Sequence, residues 1–401
     1  MATLLRERNF LLLWLGQLCS QCGDRLTQLV LIALVAARAP GSSLTLAKIL
    51  VATSLPALIL NPFAGVYVDR WDRKRTMITC DIVRAAAILA LPALARSGSG
   101  IPLYLGVFLI FSVGAFFFPA RLALIPDLVP SHRLAQANAL FNTSGMIGST
   151  VILLGGALLV EWAGPMRSCW VNAASYVGSA CFIAPILWRR RRHRASHASA
   201  ATILREIGEG IRELWRHRAT RRAAGLMGIL MGGAGASFIV GTVLIQQSMG
   251  SVTKDLGFLS LWLGVGMLIG TLAYGRWGTK VERQLILGIA FLGCGSALWA
   301  FVGAVLGLRS SVAASAAASL LGFWIAPVGI VTNTLVHEGH PERLHGRIFS
   351  SFGVVVNVSL ISSMLVAGWM VEQGGRGMLL MAVGAAFAVS GFALLWYTKR
   401  R

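Results

Sequence analysis

The chain has 401 residues, of which 56% are hydrophobic and 13% charged, against about 25% charge in soluble domains, which excludes a conventional water-soluble core. The formal net charge of +21 raises nucleic acid as a partner. The cations sit between apolar runs rather than on a soluble domain with interleaved aromatics, so that class is excluded too.

Twelve apolar stretches follow one another, near residues 9–37, 44–68, 76–96, 101–125, 135–160 and 169–188, then 222–249, 256–275, 284–308, 311–337, 347–371 and 377–398. A helix needs about 20 apolar residues to cross about 30 Å of hydrocarbon. Continuous runs, rather than alternation of period two, select helices over a closed barrel. The expected fold class is an all-α polytopic membrane protein of twelve transmembrane helices in two six-helix bundles. The domains are residues 1–188, a basic cytoplasmic connector 189–221, and residues 222–401. Most Lys and Arg fall on one side of this arrangement, which places both termini in the cytoplasm of a cell inner membrane.

The first span opens with charged residues and lacks a small-residue cleavage site, so it reads as a retained helix. Gln17, Gln21, Asp24 and Gln28 lie at helical spacing and set four polar side chains on one face, which should line a cavity. Asp24 lies near mid-membrane with Arg25 beside it, and ionisable groups at that depth are costly enough to suggest function. Two roles stay open for Asp24: contact with a proton or cargo, or a structural ion pair with Arg25 or another cation. Cys19 and Cys22 fall within the same apolar span and read as packing residues.

On the third span Asp81 and Arg84 are one helical turn apart. The fourth span carries Phe108, Phe111, Phe116, Phe117 and Phe118, followed by Pro119. Asn142 and Asn172 are polar candidates on the fifth and sixth spans. The connector begins with a basic run at Arg189–Arg194. It continues into an amphipathic segment in which Ile203, Ile207, Ile211, Leu214 and Trp215 share a face, as in a helix lying at the membrane interface.

Away from span ends, the second half has no acidic or basic residue within a span, so a relay of charges across both halves is not expected. Its polar candidates are Gln246, Gln247, Asn333 and Asn357, each of which also suits bonding between helices. His337, His340 and His345 flank Glu338 and Glu342 without a convincing ligand set. No G-x-x-x-x-G-K-[ST] loop is present to hold ATP. No cofactor, metal or catalytic constellation is expected.

The two halves repeat weakly. Gly65 and Gly275, Asp72-Arg73 and Glu282-Arg283, and Arg133-Leu134 and Arg343-Leu344 all lie at one common offset. With an even number of spans in each half, such repeats keep the same orientation in the membrane.

The stretch GVYVDRWDRKR, Gly65 to Arg75, resembles the major facilitator motif G-x-x-x-D-R-x-G-R-K through Gly65, Asp69, Arg70, Arg73 and Lys74. Asp72 stands where the motif usually has glycine. Together with DIVR at Asp81–Arg84, FFPARLALIPDLVPSHRLAQANAL at Phe117–Leu140 and HGRIFS at His345–Ser350, this resembles macrolide-efflux-like and enterobactin-exporter-like members of that family. The resemblance implies a secondary transporter. In that setting Asp69 would latch onto the start of the eleventh helix, near Gly346, and Arg73 would pair with an acid on a neighbouring helix.

The expected function is alternating-access export of a hydrophobic or amphiphilic small molecule, a drug or secreted metabolite, by a monomer in the lipid bilayer, with protons as a candidate coupling ion. Transport of a lysophospholipid or other lipid is the alternative within transport. A transport-silent membrane sensor or scaffold is the alternative outside it.

Overall fold

The computed structural model describes residues 4–96, 100–188, 200–339, 345–373 and 375–399. Its helices are α1 (Arg8–Arg38), α2 (Ser43–Arg70), α3 (Arg73–Arg96), α4 (Ile101–Leu128), α5 (Leu134–Ile183), α6 (Ala200–Arg216), α7 (Arg218–Met249), α8 (Lys254–Trp277), α9 (Arg283–Val302), α10 (Ser311–Glu338), α11 (His345–Glu372) and α12 (Arg376–Lys399). No strand occurs among the described residues. Eleven of these helices are long and apolar enough to cross a membrane.

The twelfth span is inside α5. A straight helix of its 50 residues would be about 75 Å long, more than twice the hydrocarbon thickness. The helix breaks at Gly164, whose φ of 78° and ψ of 162° are non-helical, and Pro165 opens the second limb. Both limbs lie along α1. The first brings Gly145 to Gln21 and Gly156 to Leu26, running with α1; the second brings Tyr176 to Gly23 and Ile183 to Gly16, running against it. The connection between the fifth and sixth spans is therefore one glycine, shorter than the sequence suggests. Pro119 and Pro327 lie within α4 and α10 without ending either helix.

Packing divides the chain into two compact units, Met1–Leu34 with Ala52–Ile203, and Val35–Val51 with Leu204–Arg401. In the first unit, Asp72 caps α3: its Oδ1 accepts from the Arg75 N–H at 2.9 Å, satisfying a donor that helix geometry leaves unpaired. Arg73 pairs with Asp127 at the end of α4 at 2.7 Å and donates to the Ala123 carbonyl. Trp188 Nε1 donates to the same Asp127 carboxylate, and Lys74 Nζ donates to the Ile186 carbonyl at 2.9 Å. The basic end of the motif thus ties the start of α3 to the ends of α4 and α5.

In the second unit, glycines set the spacing. A Cβ on Gly266, Gly270 or Gly322 would stand 1.9, 2.2 or 2.1 Å from a facing backbone carbonyl oxygen, so α8 and α10 touch main chain to main chain. Gly288, Gly295, Gly384 and Gly391 make a similar seam between α9 and α12. Leu214 of α6 is fully buried with Ala223, Val336, Ile348 and Phe352, and Ser351 Oγ donates to the Ile207 carbonyl at 3.1 Å. The apolar stripe of α6 is thus partly covered by protein rather than lying free at the interface, although Trp215 remains half-exposed. The side chain of Ile203 and the basic run 189–194 lie outside the described residues.

Candidate functional site

The strongest polar constellation lies in the first unit, where α1, α3 and the second limb of α5 meet. Arg84 is 2% exposed and reaches from α3 to α1. Its Nη1 donates to Asp24 Oδ1 at 2.8 Å, and its Nη2 donates to Ser20 Oγ at 2.9 Å and to Asp81 Oδ1 one turn back on α3. Nε donates to the Cys80 carbonyl at 3.3 Å. The guanidinium lies over the rings of Tyr176 and Phe117, 4.5 and 4.9 Å from their centroids. A buried charge is tolerable only when paired and hydrogen-bonded all round, and every arm of Arg84 meets that demand.

The two carboxylates differ in setting. Asp81 is completely buried, whereas the Asp24 side chain is 47% exposed. Tyr176 OH donates to Asp24 Oδ1 at 2.9 Å, and the tyrosine oxygen also contacts Thr27 Oγ1, which pairs with the Asn172 amide at 2.9 Å. This hydrogen-bonded chain holds Asp24 at the wall of a cavity of about 360 Å³. Gln21, Arg25 and Gln28 share that wall, and Phe111 and Phe118 supply its apolar side. Arg25 makes no ion pair with Asp24 among the described residues and donates instead to Gln28 Oε1 at 3.2 Å.

Three of the four polar positions on the α1 stripe therefore face one cavity. Gln17 stands outside it, buried, and its Oε1 has no hydrogen-bond partner among the described residues. Asn142 is exposed, and Asn333 is exposed with its amide bonded back to the Gly329 carbonyl of its own helix. Gln246 and Gln247 close off the end of α7: the first donates to the Val252 carbonyl at 2.9 Å, and the second accepts from Arg376. Phe117 serves Arg84 rather than the cavity, and Trp324 fills the hollow over Gly293. Arg70 is exposed at the end of α2, while the surroundings of Gly65 and the side chain of Asp69 are not described, and His340 and Glu342 lie outside the described residues.

Sequence reasoning missed Asn61 and Thr53, which complete the polar wall from α2. It also missed Arg121, only 5% exposed and stacked between Phe118 and Phe141 at 4.6 and 5.3 Å. No acid pairs with it among the described residues. A lone arginine inside an apolar span was the available signal.

Two compact units of long apolar helices define a polytopic helical membrane protein. The profile of the Major Facilitator Superfamily matches residues 13–363, and the chain belongs to that family. It is 22% identical to the multidrug efflux pump Tap of Mycolicibacterium fortuitum, over 90% of this chain and 89% of that one. It is 26% identical to the putative bacilysin exporter BacE of Bacillus subtilis (strain 168), over 80% and 81%. Macrolide efflux protein A of Streptococcus pyogenes is 24% identical over 92% and 90%. Among solved structures, a bacterial homologue of the iron transporter ferroportin in its inward-facing state superposes with a TM-score of 0.78 at 16% identity, covering 98% of this chain and 99% of that one. The nucleoside transporter NupG gives 0.73 at 13% identity, covering 98% and 99%. The structural likeness establishes the fold alone.

Proposed function

We propose that the protein is a secondary exporter of hydrophobic or amphiphilic small molecules, working by alternating access in a bacterial cytoplasmic membrane with both termini inside. Asp24 is its charge-sensing residue. In this reading residues 1–188 and 222–401 are the alternating halves and 189–221 connects them. The observation that carries the proposal is the half-exposed Asp24 carboxylate on a cavity wall, sharing one guanidinium with the buried Asp81.

Two carboxylates around one cation leave an excess negative charge where the surroundings screen it poorly. A proton, or a cationic group on the cargo, neutralises Asp24 and leaves Arg84 to Asp81 alone. Arg25 and the Gln21 and Gln28 amides offer further polar contacts on the same wall, and Phe111 and Phe118 receive the apolar part of an amphiphile. The efflux functions in the names of the relatives support export as the direction.

The test is accumulation of lipophilic dyes and antibiotics in efflux-deficient cells at matched membrane expression. Wild type is expected to lower accumulation and Asp24→Asn to abolish the effect. Equal activity of the two would make Asp24 a structural partner of Arg84. No difference from empty vector across the panel would sink the export reading and turn attention to movement of labelled lipid in vesicles.

A further inference from the structure

A groove of about 820 Å³ opens on the second unit where α7 and α9 begin and α10 and α12 finish. The cavity around Asp24 shares no residue with it. Its inner wall is apolar, built from Leu226, Leu287 and Leu394, and Ile229, 41% exposed, carries that surface outward. Its mouth is basic. Arg283 there is engaged bidentately by Glu338, at 2.5 and 3.0 Å. Arg218 and Arg222 have no carboxylate partner within ion-pair distance among the described residues, and as an i, i+4 pair they project from one face of α7.

Arg222 is held in place by its guanidinium lying 4.5 Å from the Tyr397 ring centroid, a contact that keeps the charge at the mouth while leaving its in-plane donors available. Two guanidinium groups without a carboxylate partner among the described residues, set above an apolar slot, match an anion that carries a hydrocarbon tail. We propose that the groove binds one anionic phospholipid of the adjoining leaflet. Its phosphate lies between Arg218 and Arg222, and its acyl chain lies along Leu226 and Ile229, as an anionic lipid such as phosphatidylglycerol allows. A zwitterionic headgroup sets its ammonium against the same arginines and is disfavoured. Inorganic phosphate leaves the apolar wall uncovered.

Native mass spectrometry of the purified full-length protein, released from mixed micelles of phosphatidylglycerol and phosphatidylcholine, reads this site. Wild type is expected to retain a single phosphatidylglycerol in preference to phosphatidylcholine. The Arg218→Gln/Arg222→Gln variant should lose that preference by roughly tenfold or more, since each basic side chain near an anionic headgroup contributes about 1 kcal/mol. Arg205→Gln/Arg212→Gln, which removes the same charge from exposed positions on α6, should keep it. Ile229→Trp, which obstructs the slot with both arginines in place, should also lower retention and decides the matter if the double variant fails to fold. Equal losses in the two double variants would reduce the effect to general basicity and overturn the proposal. So would unchanged retention by Ile229→Trp, or displacement of the lipid by millimolar inorganic phosphate.

Discussion

Arg84 concentrates the energetics of the first unit in one side chain. Removing one partner of a buried ion pair leaves the other charge stranded, at a cost of about 3–5 kcal/mol, whereas replacing both partners is often close to neutral. Arg84→Gln is therefore expected to lower the Tm of the detergent-solubilised protein severely, and Arg84→Gln/Asp81→Asn to recover most of the loss. A double variant no more stable than the single one would show that the pair is not the source of the penalty. Asp72 gives a milder contrast. Its cap bond to the Arg75 N–H predicts that Asp72→Ala costs about 1 kcal/mol and Asp72→Gly, the residue usual in the motif, only a few tenths. Equal effects of the two, measured by thermal unfolding, would remove the cap as the reason for aspartate here. The polar setting of Asp24 was legible from its depth in an apolar run, but its partner was not. Arg84 lies 60 residues away, and which face of α3 meets α1 depends on helix rotation, which hydrophobic patterning constrains only loosely.

At the scale of elements, the spans themselves were legible because hydrocarbon leaves little freedom: length and apolarity fix where helices run. The closeness of their contacts was less so, since glycine in an apolar run serves equally as a filler or as a seam. Gly270 and Gly275 on α8 separate these cases. A Cβ at Gly270 would lie 2.2 Å from the Phe323 carbonyl oxygen, which can move only with its helix, whereas nothing lies within 4 Å of one at Gly275. Gly270→Ala is expected to cut the yield of folded protein and lower its Tm. Gly275→Ala should leave both unchanged or raise Tm, because alanine gains about 0.5–1 kcal/mol over glycine in an unobstructed helix. Parallel size-exclusion profiles and melting curves check this, and equal tolerance of the two would deny main-chain contact between α8 and α10. The amphipathic pattern of α6 announced a buried face but not its cover, because lipid and protein demand the same apolar stripe.

For the whole molecule, the internal repeat recurs as a pair of matched clamps. Each unit ties the start of one span to the end of the next, through Arg73 and Asp127 in the first and Arg283 and Glu338 in the second. The first pair is 13% and 9% exposed and the second 44% and 55%, so solvent screens the second far more. Arg73→Ala is expected to reduce Tm markedly and Arg283→Ala only slightly, and the reverse order would contradict this assignment. The proposed orientation is checked by labelling single cysteines in a cysteine-free background. Arg309→Cys should react with an impermeant maleimide in intact cells, and Arg205→Cys only after permeabilisation. The matched offsets in the sequence foretold the duplication, but the unequal screening came only with the positions of Trp188 and α5 around Asp127. The single-glycine turn of α5 bears on biogenesis. With no loop between its limbs, the nascent chain has nothing to pass across the membrane separately at that point, so the two spans are expected to enter the bilayer together as a helical hairpin. Any tag or epitope inserted beside Gly164 would then interrupt insertion itself and not merely decorate a surface.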